Sequence, residues 1–141
     1  MGLEEEYIQI GSDIIHAAFE VRNNAGAGML ESFYEAALVF ELQSMGYKVA
    51  SQAIIPAIYR GNIIKDAFHA DIIVDDKVII ELKALSKIGE NEFRQLYTYL
   101  TLSNLRLGYL INFGAQDFSF GKWRDHSTYT KGLFRIVNNL R

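Results

Sequence analysis

Asp71, Glu81 and Lys83 stand in the stretch ADIIVDDKVIIELKAL, residues 70–85, which otherwise reads as two short apolar strands joined by a polar turn. Strand side chains alternate faces, so Glu81 and Lys83 share a face with Ile79, and Val78, Ile80 and Leu82 share the other. The register of the hairpin decides what Asp71 meets. A two-residue turn at Asp75-Asp76 pairs residue 71 with residue 80 and turns Glu81 away. A three-residue loop, Asp75-Asp76-Lys77, pairs Asp71 with Glu81, Ile72 with Ile80 and Val74 with Val78. The second register leaves one wholly apolar face and gathers His69, Asp71, Glu81 and Lys83 on the other. A slip of one residue flips every side chain, so the pattern selects this loop or an equivalent bulge. Two facing carboxylates repel, and one takes up a proton unless a cation lies between them. A hard divalent ion suits such oxygen ligands. Lys83 beside it adds a fixed positive charge, and the set suits metal-assisted attack of water on a phosphodiester. The competing interpretation is an ion pair of Lys83 with Asp71 or Glu81 that serves only the fold.

The elements that must hold these residues follow from periodicity. Residues 5–22 predict a helix, with Ile8, Ile14, Ile15, Ala18 and Phe19 at three- and four-residue steps, and NNAGAG at 23–28 ends it. A second helix is expected over about 29–45, with a stripe of Leu30, Phe33, Tyr34, Ala37, Leu38, Leu42 and Met45 and Gly46 at its end. Strands follow: YKVASQAIIPAIY, where Pro56 marks an edge or a bend, then AFHADIIV and KVIIELKAL. RGN at 60–62 makes a turn. Residues 90–104 predict a third helix, and RLGYLINFG at 106–114 a strand covered on both faces. GLFRIV at 132–137 forms a short last strand, and residues 115–131 carry no assignment. The expected class is α/β, one mixed sheet with helices against it, in a single domain spanning 1–141.

The chain has 141 residues, half of them hydrophobic and 22% charged, and no cysteine. That composition fits a soluble globular protein and excludes disulfides and thiolate metal sites. The N-terminus lacks the basic and apolar regions of a secretory signal, and no apolar run approaches the ~18 residues of a membrane span. A cytoplasmic protein without membrane association is expected. The net charge of −3 disfavours a general polyanion binder. Yet residues 1–45 hold eight acidic side chains against Arg22, whereas residues 120–141 hold Lys122, Arg124, Lys131, Arg135 and Arg141 against Asp125, so one basic face is expected.

Asp71 followed by Glu81-Leu82-Lys83 resembles the PD-(D/E)XK nuclease superfamily. GMLESFY at 28–34, read as Gly28-x-x-Glu31-x-x-Tyr34, resembles the signature of the GxxExxY protein family within it. The similarity continues through FHADIIVDDKVIIELKAL, RQLYTYL and LRLGYLINFG. Ala70 stands where the superfamily's name has proline, a position that varies widely. The resemblance implies a restriction-endonuclease-like core, a mixed central sheet flanked by helices. It implies that Asp71 and Glu81 hold a divalent metal, Mg²⁺ or Mn²⁺, and that Lys83 is the catalytic lysine. Glu31 matches an extra acidic ligand supplied by an N-terminal helix, and Gln95 and Tyr99 match a Q-x-x-x-Y motif after the lysine. The implied partner is nucleic acid, with DNA the first candidate.

Each supporting residue also has a plainer role. A carboxylate such as Glu31 in the first turn of a helix is favoured by the free amides there. Gln95 and Tyr99 share a helix face, being four apart, above a core contact of Leu96, Leu100 and Phe93. His69, Lys87 and Arg94 are candidate substrate contacts, although a lone histidine more often serves the fold and single cations such as Lys87 and Arg94 are more often solvated charges. A Mg²⁺- or Mn²⁺-dependent nuclease is therefore expected. The alternative is a nuclease-like module without catalysis that binds nucleic acid or a protein partner. A homodimer through FSFGKW at 118–123 is a further expectation.

Overall fold

The computed structural model describes residues 3–138, the side chains of residues 65–67 excepted. Arg141, counted above among the basic C-terminal residues, lies outside the described residues. The elements run α1 (Glu5–Ala25), α2 (Glu31–Ser44), β1 (Val49–Tyr59), β2 (Asn62–Val74), β3 (Val78–Lys83), α3 (Glu90–Ser103), β4 (Leu107–Asn112), β5 (Asp117–Phe120) and β6 (Lys131–Val137). One six-stranded mixed sheet has the order β1-β2-β3-β4-β6-β5. The β3–β4 pair is parallel, with α3 as its crossover, and the pairs β1–β2, β2–β3 and β4–β6 are antiparallel.

Two apolar clusters sandwich the sheet. Ile10, Ile14, Ala17 and Val21 of α1 and Tyr34, Leu38 and Leu42 of α2 cover one face, over Ile72, Val74, Val78, Ile80 and Leu82. Phe93, Leu96, Tyr99 and Leu100 of α3 cover the other, over Ile79, Leu110, Phe134 and Ile136. Both faces of β4 are thus occupied, which is why LGYLIN is apolar throughout yet strand rather than helix. The helix stripes expected from sequence are rotated slightly: Ile8, Phe19, Leu30, Phe33 and Met45 are exposed, and Ile10, Ala17 and Val21 are buried in their place.

The hairpin register is the one with a three-residue loop. Val74 pairs with Val78 and Ile72 with Ile80, and Asp75 and Asp76 take the left-handed backbone that the reversal needs, with φ of 52° and 56°. Pro56 lies on the edge strand β1 beside a shift in register, in keeping with its missing donor. Residues 115–131 supply β5, a four-residue strand at the other edge. It is too short to show a period, so only tertiary pairing with β6 defines it. Within FSFGKW, Phe118 stacks on Phe113 and Trp123 on Phe93. Those two aromatics are spent inside the chain, which leaves the expected homodimer through this segment without support.

The exit of β3 is fixed to the exit of β4. Asn112 is fully buried. Its side chain accepts from Leu85 N–H at 2.8 Å and donates to Leu85 O at 2.9 Å. At Gly114 a Cβ would lie 2.5 Å from Leu85 O and 2.6 Å from Leu85 N, so two backbones meet where only glycine fits. Gly114→Ala is therefore expected to destabilise the protein by about 1–3 kcal/mol, read as a lower urea midpoint with an unchanged slope. An unchanged midpoint would show that this contact yields freely.

Candidate active site

The site forms where β2 and β3 part. The Asp71 carboxylate accepts from Leu82 N–H at 2.8 Å, and Asp71 N–H donates to a Glu81 carboxyl oxygen at 3.3 Å. Glu81 lies between Ile80 and Leu82, which both pack under α1 and α2, so its side chain turns toward the α3 face. It is only 2% exposed. Its pKa is pushed up to about 9, first by burial, then by the charge of Asp71 and a hydrogen bond between the two carboxyl groups. Asp71 N–H and Lys83 oppose the shift.

Lys83 is half-buried on the same strand. Among the described residues it makes no ion pair, so a purely structural pairing with Asp71 or Glu81 is not what the chain adopts. Its charge is nevertheless felt at Glu81 and at Glu31.

Glu31 opens α2 and is exposed. Its pKa is raised by partial burial and then by Asp71, with Lys83 opposing, so it stands within electrostatic reach of both. The segment before it is anchored by Tyr34. That hydroxyl donates to Gly26 O at 2.6 Å and accepts from Met29 N–H at 3.0 Å, and the ring stacks on Phe113 at 4.5 Å. Gly28 has open space where a Cβ would stand, so the helix start does not demand glycine at that position.

On α3, the Gln95 amide donates to the Tyr99 hydroxyl at 3.1 Å. The Tyr99 hydroxyl is pushed up by burial and by Glu81 and Asp71, with the Gln95 hydrogen bond opposing. The pair forms the α3 wall beside the two carboxylates.

His69 does not join them. Phe68 and Ala70 both pack in the α3-side cluster, so His69 between them points to the opposite face, where it is exposed beside Ile54. Strict alternation fails between Ala70 and Ile72, which pack in different clusters, and it is there that the expected grouping of His69 with Asp71 breaks. Arg94 is held in an ion pair with Glu90 at 3.5 Å. Lys87 is exposed on the loop between β3 and α3, beside a groove shared with His126 and Tyr129.

Two residues that sequence reasoning missed complete the constellation. Gln52 sits on β1 opposite Asp71, with a left-handed φ of 52° that a non-glycine residue adopts only under constraint. Its amide donates to Asp71 at 3.2 Å and to Glu35 at 2.8 Å. Glu35 also accepts from Ser51 Oγ at 2.6 Å. Ser51-Gln52 interrupting an apolar strand, and Glu35 one helical turn after Glu31, were the available signals.

The donor set fits a hard divalent cation. Two carboxyl groups that meet in a buried place must otherwise share a proton. The fit is carried by Asp71 and Glu81. Among the described residues no group of three or more His, Asp or Glu side chains converges on one point, so Glu31 stands beside the pair rather than in it.

A pH dependence follows. Because the Glu81 pKa rises on folding from its ordinary 4.5 to about 9, the folded state binds the proton more tightly. Its stabilising contribution is complete below pH 4.5 and is lost as pH rises toward 9. In chelator-treated protein, Tm is expected to fall across that window, and Glu81→Gln to flatten the fall; the same fall in the variant would assign it to another group.

A family model described as the PD-(D/E)XK nuclease superfamily matches residues 8–124. Searches of curated proteins and of solved structures gave no match. The match spans both helices before the sheet, the Asp71–Glu81–Lys83 hairpin and the Gln95–Tyr99 helix, in the mixed sheet expected of a restriction-endonuclease-like core. Nucleases of this superfamily generally use divalent metals. The chain belongs to the PD-(D/E)XK nuclease superfamily.

Proposed function

We propose that the protein is a divalent-metal-dependent nuclease that hydrolyses phosphodiester bonds in nucleic acid, with DNA the first candidate and Mg²⁺ or Mn²⁺ the metal. We also place it in the GxxExxY branch, on Gly28, Glu31 and Tyr34. The observation that carries the reading is the carboxyl pair of buried Glu81 and half-buried Asp71, with Lys83, unpaired among the described residues, two residues further along β3. Asp71 and Glu81 would hold the metal, with Glu31 adjacent. When bound, such an ion supplies Lewis acidity toward phosphate oxygen and a more acidic water.

The chain's own groups do the remaining work. Lys83 brings a fixed positive charge to the place where a phosphate gains negative charge. Gln52 holds Asp71 in one orientation through its amide, and Glu35 fixes Gln52 in turn. Gln95 and Tyr99 offer one amide and one hydroxyl at the wall of the site to a phosphate oxygen or a water. Lys87 is an exposed cation on the loop between β3 and α3 that suits backbone contact with nucleic acid.

A second reading has its own observation. The absence of a converging third carboxylate among the described residues suits a nuclease-like module that binds nucleic acid or a protein without cutting. Fold alone does not decide between them.

Cleavage of labelled single-stranded, duplex, flap and junction DNA and of RNA, with Mg²⁺ or Mn²⁺, separates the two. Lys83→Ala and Glu81→Ala are expected to lower the rate at least about 100-fold with the fold retained. Gln52→Ala should lower it less, and Gln52→Glu should not restore it. Salt-sensitive binding without cleavage would favour the module, and cleavage that survives Lys83→Ala would point to a contaminating nuclease.

A further inference from the structure

On the face of the sheet away from Glu81, α1 does not close against the far strands. A cleft of about 700 Å³ opens there, within the range of roughly 300–1,000 Å³ typical of small-molecule sites. Tyr7, Ile8 and Ile15 of α1 and Phe120 at the end of β5 give it apolar walls, and Tyr109, Lys122 and Arg135 give it polar groups. Tyr109 and Arg135 are register partners on β4 and β6, and the guanidinium lies near enough to the tyrosine hydroxyl to oppose the rise that burial gives its pKa. Gly11 makes this possible, since a Cβ at that position would collide with the Tyr109 hydroxyl.

The charge in the cleft is unbalanced. Other cations are engaged elsewhere: Lys131 pairs with Asp117, Arg124 lies over Trp123, and Arg22 of α1 donates to Ala115 O. Among the described residues neither Lys122 nor Arg135 has a carboxylate partner. Ile8 and Phe120 meanwhile remain 58% and 49% exposed. A bare inorganic anion would answer the cations and leave the walls wet. A neutral apolar molecule would cover the walls and desolvate two cations without compensation, which is costly.

We propose that this cleft is a second ligand site, separate from the Asp71–Glu81 pair, that takes a small organic anion: one phosphate or carboxylate head on Arg135, Lys122 and the Tyr109 hydroxyl, and a flat apolar body against Tyr7, Ile8, Ile15 and Phe120. Charge-assisted hydrogen bonds to the head fix its orientation, and the walls supply the burial.

Calorimetry on the full chain with four probes tests this: 5′-dAMP, 2-naphthoate, adenosine and inorganic phosphate. At least one of the first two should bind with a stoichiometry near one, and which of them binds names the head as phosphate or carboxylate. Binding of both, in competition, supports a site that accepts either. Adenosine and inorganic phosphate should bind at least about tenfold more weakly. Arg135→Gln and Lys122→Gln, both at exposed positions, should each weaken binding by about tenfold, Ile8→Asp should abolish it, and Asp71→Asn should leave it unchanged. The proposal is overturned if neither organic anion binds, if inorganic phosphate binds as well as they do, or if Asp71→Asn rather than Arg135→Gln removes the binding.

Discussion

The contact between the Asp71 and Glu81 carboxyl groups is the constraint around which the rest of the chain is arranged. Two like charges on adjacent antiparallel strands, one of them 2% exposed, cannot both ionise at neutral pH without a counter-charge. Lys83 does not supply it by direct pairing, and burial raises Glu81 to about 9 in spite of that nearby ammonium. A buried ionisable group in this state lowers stability at neutral pH, where apolar residues of like volume would not. The apolar clusters on both faces of the sheet offset that cost. Strained or poorly compensated groups that persist in a well-packed fold concentrate at functional sites, and this pair lies on the edge of the one region where β2 and β3 separate.

Much of the remaining architecture holds that pair in place. α2 enters over the site because Tyr34 ties the preceding loop to itself and stacks on Phe113. β3 leaves the site along one path because Asn112 and Gly114 fix Leu85. The edge strand β1 contributes through a single kinked residue, Gln52, whose amide reaches Asp71 and Glu35 together. Each of these contacts joins two elements distant in sequence, so the site's geometry depends on the packed tertiary structure.

The parts that were legible in the sequence are those governed by local pattern. Alternation in IIVDDKVII fixed the hairpin register, because only the three-residue loop left one face wholly apolar. Glycine and asparagine punctuated the helices where the chain turns, alternation set Asp71 against Glu81, and four-residue spacing put Gln95 and Tyr99 on one face of a helix. What could not be read depends on contacts between remote segments. β5 exists only through β6. The rotation of α1 that buries Ile10 and exposes Ile8 is set by the partner helix. The break in alternation at Ala70–Ile72, which sends His69 to the other face, shows only in the packing of the two residues into different clusters. Asn112 showed only as a polar residue in an apolar run, and its two hydrogen bonds to Leu85 lie 27 positions away in sequence.

The central claim is that the carboxyl pair carries a proton that a divalent cation replaces. Titrating chelator-treated protein with Mg²⁺ or Mn²⁺ near pH 7, in two buffers of different ionisation enthalpy, counts the protons released on binding. The account predicts release of about one proton per ion bound, abolished together with binding in Glu81→Gln. Metal binding without proton release, or no binding at all, would contradict it.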